Sequence, residues 1–506
     1  MTCLRRHHRD GRTLAGALLC HRCAEEPDVL LPWSATSVAP CHRSQRRFLA
    51  LLVGCLALLA AALAPSAAPA PTPLSVHQEA AVGALLAPGD RVEISYALDT
   101  TSIKSAKGSL YVRNDLLRRF ERLPLTRKRY SSSLHAVVPA RLIRGHQLLY
   151  YAVVRDPRSG RSVTVPAAGA LAPKSALILE RPVVVRLRAH RFGHPRAPDA
   201  IVARAAASEV GWQTEGDPSG PETFLVGRDR SIWLHDEVNH RLLVWRPGRP
   251  DAVARSLVLP FLNAEDVALG PAGTLYFDRD VPELRQFFLY RLSLASGKVL
   301  WRRRLAGYVG GNTQLRVGPD GTLYALAADL GWMPAATPGG GPLSMAEQRR
   351  RAGHEPLAGG LRLLSEVYTP HGKYDHAHEV RFALIGPGGG VVRAWRVVSR
   401  TAINLSGFYT PALVGGDPVV VLDATAGADH SFKWEYVVLR LGPGGTRARF
   451  SLRHAVYGDN LFADLRVGPD GTLYQLGSSP TTGVVISRYS LGPIREKEWF
   501  ERMRHS

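Results

Sequence analysis

Cysteine is absent from the last 451 residues of this 506-residue chain; all five, Cys3, Cys20, Cys23, Cys41 and Cys55, fall within the first 55. No disulfide can staple the body of the protein, which must hold by packing alone. Lysine is scarce too, supplying only 8 of the 64 basic residues, so the net charge of +21 is carried by arginine. Signatures of common chemistries are missing: no Gly-x-Ser-x-Gly elbow, no HExxH, no phosphate-binding glycine loop and no dinucleotide fingerprint. No basic patch interleaved with aromatics appears either, which argues against a nucleic-acid partner.

Long hydrophobic runs are absent except for one. Residues 48–64 are unbroken apolar, follow Arg43, Arg46 and Arg47, and lead into an Ala/Pro linker at 65–88. This pattern is that of a signal peptide or signal anchor, so an extracytoplasmic protein is expected, secreted or anchored by that segment. Leu52-Val53-Gly54-Cys55 leaves lipidation as an alternative. Residues 1–47 stand in front of the signal; Cys20-His21-Arg22-Cys23 and Cys41-His42 lack the spacing of a second zinc-ligand pair, and the stretch reads as a mis-annotated or disordered N-terminus. Without it the charge is still +17, which would draw an exported protein toward anionic polymers, lipid headgroups or acidic glycans.

What is present is repetition. LRVGPDGTLY stands unchanged at 315–324 and 465–474, with blurred copies at 267–280 and 224–237. Each reads as a strand, a tight turn in which proline presets φ and glycine takes the positive one, and a second strand. Aligned on the first turn glycine (Gly227, Gly270, Gly318, Gly415, Gly468), the intervals are 43, 48, 97 and 53 residues. Most match a four-stranded propeller blade. The long one fits a blade with an insertion at 329–378, or two blades of which one has lost its motif. An all-β fold follows: a β-propeller at 181–491, six blades favoured with five or seven possible, and a charged tail at 492–506. RPVVVRLRAH (181–190) is expected to supply the missing strand of the last blade and close the ring.

The segment DEVNHRLLVW, through Asp236, Asn239, His240, Arg241, Leu242 and Val244, resembles the NHL-repeat family, which implies NHL-like blades. Ahead of them, alternating strands at 91–98, 109–114, 134–139, 147–154 and 161–166 indicate a small β-sandwich at 89–170. The stretch VPARLIRGHQLLYYAVVRDPRSG is similar to Ig-like or fibronectin-type modules, implying a spacer or adhesion unit.

Candidate site residues come from the same alignment. One and three residues before the turn glycine every blade is apolar, as a face packed between blades requires; four before, it carries Thr223, Asp266, Gln314, Pro411 or Asp464. With Glu222, Glu265, Arg316 and Arg466 these are expected at one channel mouth. Converging carboxylates and amide oxygens suit Ca²⁺, and a water activated there would hydrolyse a lactone or ester. The simpler reading makes Asp464–Arg466 and Gln314–Arg316 polar pairs that satisfy each other, with no cofactor. Asp266 and Asp464, and separately His376 and His378 of HGKYDHAHE, are the candidate metal ligands. The function expected from all this is a monomeric binding protein that presents a propeller to an extracellular or envelope protein or anionic glycan, touching membrane only through its N-terminal segment. The alternative is a metal-dependent, lactonase-like hydrolase or lyase.

Overall fold

The computed structural model describes residues 74–492, apart from short internal segments at 81–83, 99–104, 128–131, 217, 261–263, 265, 282–285, 308–313, 328–330, 354, 370–376, 408, 410, 428–431 and 458–462. The chain divides into Met1–Pro71 and Thr72–Ser506, and everything described lies in the second unit. The readings on the N-terminus, the apolar run, the charged tail, Glu265 and His376 fall outside the described residues. Among those described, no helix is long and apolar enough to cross a membrane.

The N-terminal part is a two-sheet β structure. Val76–Ala80, Val92–Leu98 and Ser133–Val138 lie side by side in one sheet; Glu121–Arg127, Lys107–Asn114, Gln147–Arg155, Lys174–Ile178 and Leu85–Leu86 follow in order in the other. Glu121–Arg127 joins them, because residues 121–125 pair with Lys107–Asn114 while 126 and 127 pair with Ser133–Val138. Alternate residues from both sheets (Ile94, Tyr96, Leu110, Val112, Leu148, Ala152) meet in one core, as period-two patterning demands. Two expected boundaries move. The linker ends before Val76, and the last strand reaches Ile178 rather than stopping by 170. VHQEA and LL are too polar and too short to show alternation in the sequence.

Six sheets follow, arranged as a six-blade propeller. The first strands of blades 1, 2 and 3 are Thr223–Val226, Val267–Gly270 and Leu315–Val317; those of blades 4, 5 and 6 are Glu355–Pro356, Ala402–Leu405 with Ala412–Val414, and Leu465–Val467. The interval of 97 residues therefore holds a whole blade without the turn motif. In its described residues the expected insertion at 329–378 holds blade elements: the third strand of blade 3 (Gly331–Ala336), the helix Met345–Arg351 and the first two strands of blade 4, Glu355–Pro356 and Arg362–Val367. The helix begins at Ser344, whose side chain caps the Glu347 N–H while Glu347 caps in return.

The two identical decapeptides occupy equivalent hairpins in blades 3 and 6. Gly318 and Gly468 donate to the carbonyls of Thr322 and Thr472 at 2.8 and 2.9 Å, and Gly321 and Gly471 sit at φ +80° and +74°. Hydrophobic clusters join blades 1–2, 2–3, 4–5, 5–6 and 6–1.

Closure differs from the expectation in its segment. The outermost strand of blade 6 is Ala200–Ala205, antiparallel to Gly483–Tyr489. Val183–Leu187, the strand expected there, runs parallel to Val391–Ser399 at the edge of blade 4. Both are short apolar strands of the N-terminal flank; what separates them is that Val185 and Leu187 pack into the core between blades 4 and 5, and Ala203 and Ala205 into that between blades 6 and 1.

Among the described residues no hydrophobic cluster joins blades 3 and 4. On the face that blade 4 turns away from blade 5, Leu364, Ala383, Ile385 and Ala394 pack instead against Leu85 and Leu179 of the sandwich. The N-terminal part therefore packs directly on blade 4, while blade 3 meets that blade through the bridge between Trp332 and Gly353.

Candidate functional site

The starts of the first strands converge at one end of the ring, where Thr223 bridges Ala463 and Tyr409 bridges Leu465 in parallel. Asp266 is fully buried there and has a carboxylate shared between blades. Its Oδ1 accepts from Thr223 Oγ1, Val267 N–H and Arg466 Nη2, each at 2.8 Å, and its Oδ2 accepts from Leu315 N–H at 2.8 Å. One side chain thus ties blades 1, 2, 3 and 6. Its own N–H donates to Asp278 Oδ1 at 2.9 Å.

Gln314 and Arg316 reach across to blade 5. Gln314 Nε2 donates to the Gly407 carbonyl, and Arg316 Nη1 to the Pro411 carbonyl at 2.6 Å. Both acceptors lie in the stretch 406–411 that interrupts the first strand of blade 5. Asp464 and Arg466, expected to pair within one strand, have other partners: Tyr436 for Asp464, and Thr223 with Asp266 for Arg466. Convergence at the mouth brings acceptors from beyond the adjacent blade within reach of each long side chain: Gln314 and Arg316 of blade 3 reach blade 5, and Arg466 of blade 6 reaches Asp266 of blade 2.

Asp464 turns to another partner. It is completely buried, and Tyr436 O–H donates to its Oδ2 at 2.8 Å. Burial, reinforced by the nearby charge of Asp423, pushes its carboxyl up to about 8. Burial likewise lifts Asp423 to about 7. Beside them Trp434 stacks on His454 with ring centres 3.8 Å apart, and burial lowers the His454 imidazole to about 4.

Glu222 is also fully buried, and burial together with the Glu237 carboxylate raises its carboxyl well above the usual range. The Ser219 hydroxyl lies 3.1 Å from Glu222 Oε1 and 3.3 Å from Glu237 Oε2. The imidazole of His235 is buried with Asp266 and Asp236 nearby, and burial holds it at about 4.

Calcium requires six to eight oxygen ligands with free lone pairs. Asp266 offers oxygens already taken by four donors, and Asp464, whose neutral form burial favours, accepts from Tyr436. No group of three or more metal-ligating side chains occurs among the described residues. At the described mouth the carboxylates of Asp266 and Asp464 are thus engaged by protein donors. His378 is exposed, with its carbonyl accepting from Ser399 N–H, and its expected partner His376 lies outside the described residues.

The NHL-like residues do come together. Asp236 Oδ2 accepts from Asn239 Nδ2 at 3.0 Å and Arg241 Nε at 2.8 Å, its Oδ1 from Gly211 N–H at 2.8 Å, and His240 holds φ +50° in the turn. This is a turn brace, made by a carboxylate with both oxygens occupied.

Tyr436, Asp423 and His235, on second and third strands, and Glu237, in the turn between two of them, escaped the sequence alignment because no fixed offset from the turn glycine marks them.

No protein-family model matches the chain, and no curated protein matches it. Among solved structures it is similar to Kuenenia stuttgartiensis hydrazine synthase, with 14% identity, a TM-score of 0.34, and coverage of 52% of this chain and 76% of that one. A likeness at that score carries no argument about activity.

Proposed function

We propose that the chain is an exported or membrane-anchored binding protein whose propeller face recognises an envelope or extracellular protein or an anionic glycan. The carrying observation is Asp266, whose four donors come from four blades. Polar residues at the mouth brace the ring, which suits a rigid platform whose loops do the recognising. The two-sheet strand order supports reading the N-terminal part as an Ig- or fibronectin-type module. Its packing on blade 4 makes it a fixed stem, not a swinging spacer.

The test is surface-immobilised full chain exposed to acidic polysaccharides and envelope extracts, with lactone and ester hydrolysis assayed in parallel. Saturable association that survives Asp464→Asn, with no turnover, fits the proposal. Metal-dependent turnover that disappears in Asp464→Asn would overturn it in favour of a hydrolase.

A further inference from the structure

We infer that the outer rim of blades 1 and 2, together with the helix Met345–Arg351, is a docking surface for an anionic lipid bilayer. It lies on the side of the disc, away from the channel mouth, and the inference does not depend on the platform reading above.

The outermost strand of blade 2, Val299–Arg304, ends in three consecutive exposed arginines, Arg302, Arg303 and Arg304. The last turn of the helix adds Arg349, Arg350 and Arg351. The two elements touch: Arg349 Nη2 donates to the Ala306 carbonyl at 3.2 Å, and Gln348 Oε1 accepts from Ala306 N–H at 2.9 Å. Blade 1 is joined to the same rim by Arg255, whose Nη2 donates to the Leu294 carbonyl at 3.0 Å.

Two carboxylates lie near this surface, and Glu347 offsets part of the charge of Arg350 and Arg351. Asp251 faces Arg204 at 3.7 Å, and Glu347 is held by Ser344 in the helix cap. Among the described residues none of the six arginines at 302–304 and 349–351 has an ion-pair partner within 4 Å. Like charges this dense repel one another, and the repulsion is relieved by an opposing anionic surface inside a Debye length of about 8 Å.

Charge alone would suit any polyanion; the second feature selects a bilayer. Large apolar side chains stand exposed on the same two outer strands: Val258 at 78%, Leu300 at 51%, Val253 at 40% and Val299 at 39%. A hydrated polysaccharide or nucleic acid gains nothing from them, whereas the headgroup–acyl boundary buries them. Base stacking has no platform either. Arg302 covers Phe288 at 4.8 Å, and Trp301 is tied through Nε1 to the Gly340 carbonyl.

The experiment is co-sedimentation of the full chain with phosphatidylcholine vesicles, with and without phosphatidylglycerol. The apolar run at 48–64 would bind both kinds, so the readout is the gain from phosphatidylglycerol. Replacing Arg302, Arg303 and Arg304 by Gln should cut that gain about a hundredfold, at roughly fivefold per arginine. Leu300→Ser with Val258→Ser should weaken it at unchanged charge. These side chains are exposed, so unchanged melting curves are expected and would confirm folding. A phosphatidylglycerol gain that is undiminished in the arginine variant would overturn the proposal. So would full competition by dextran sulfate with no effect of the apolar substitutions, which would make the rim a polyanion site.

Discussion

Arg381 and Asp90, 291 residues apart, meet in a bidentate ion pair at the junction of sandwich and propeller, with Nη2 to Oδ1 at 2.8 Å. The guanidinium is fully buried, also donates to Glu379 Oε1 at 2.6 Å and to the Leu85 carbonyl at 2.9 Å, and lies 3.7 Å from the centre of the Tyr368 ring. Beside it Glu366 accepts from Leu85 N–H, and burial lifts its carboxyl to about 7. A buried charge set of this kind fixes geometry more than it adds stability.

Removing one partner should be far worse than removing both. Asp90→Ala leaves a buried guanidinium short of its main counter-charge and should cost about 3–5 kcal/mol in denaturant unfolding. Arg381→Met combined with Asp90→Leu should recover most of that loss. Equal losses in the single and double variants would contradict the assignment.

Asp266→Ala should be among the most damaging substitutions in the propeller. It removes the carboxylate that accepts from the Thr223 hydroxyl, the Val267 and Leu315 N–H groups and Arg466, and a cost of about 3–5 kcal/mol is expected. Chelator should leave the melting temperature unchanged in the parent and the variant alike. A melting temperature that drops on chelation in the parent but not in Asp266→Ala would mean that this carboxylate serves a metal instead.

Asp464 predicts a pH dependence. Its folded carboxyl is raised to about 8, against an ordinary value near 4 in the unfolded chain, so the folded state holds the proton more tightly. This group's contribution is complete below about pH 4 and is lost progressively as pH rises toward 8. Asp464→Asn, a neutral near-isostere, should flatten that part of the stability profile and change stability at pH 5 by no more than about 1 kcal/mol. Unfolding curves across pH 4–9 read this directly.

Gly483 guards the closing strand. It holds φ +81°, and a Cβ there would lie 2.1 Å from the Ala205 carbonyl oxygen. Gly483→Ala should cost about 2–4 kcal/mol, through overpacking and the left-handed backbone combined. Hydrogen exchange should quicken first in residues 200–205 and 483–489, ahead of the other blades.

Blade architecture was legible in the sequence because one constraint recurs. The Gly-Pro-Asp-Gly turn needs positive φ at Gly321 and Gly471, and the apolar offsets Leu315/Val317 and Leu465/Val467 face the cores between blades. Blade 4 was hidden because its first turn, at 357–361, is Leu-Ala-Gly-Gly-Leu, which keeps the backbone bond from Leu357 N–H to the Leu361 carbonyl but carries neither proline nor aspartate. Strand identity at closure was hidden because choosing between 183–187 and 200–205 depends on which cores are left open, a property of the assembled ring. The mouth was half legible. Position and polarity of Asp266, Gln314 and Asp464 followed from the offset, but partners such as Tyr436 and the Pro411 carbonyl are set by contacts between blades.

Ring closure through the N-terminal flank is tested most directly by a disulfide. With the five native cysteines replaced by serine, Ile201→Cys and Ser487→Cys stand opposite each other in the closing ladder. Mild oxidation should join them and raise the melting temperature. Failure of that pair to cross-link in folded protein, with ready cross-linking of Ser487→Cys to a cysteine placed in 183–187, would contradict the account.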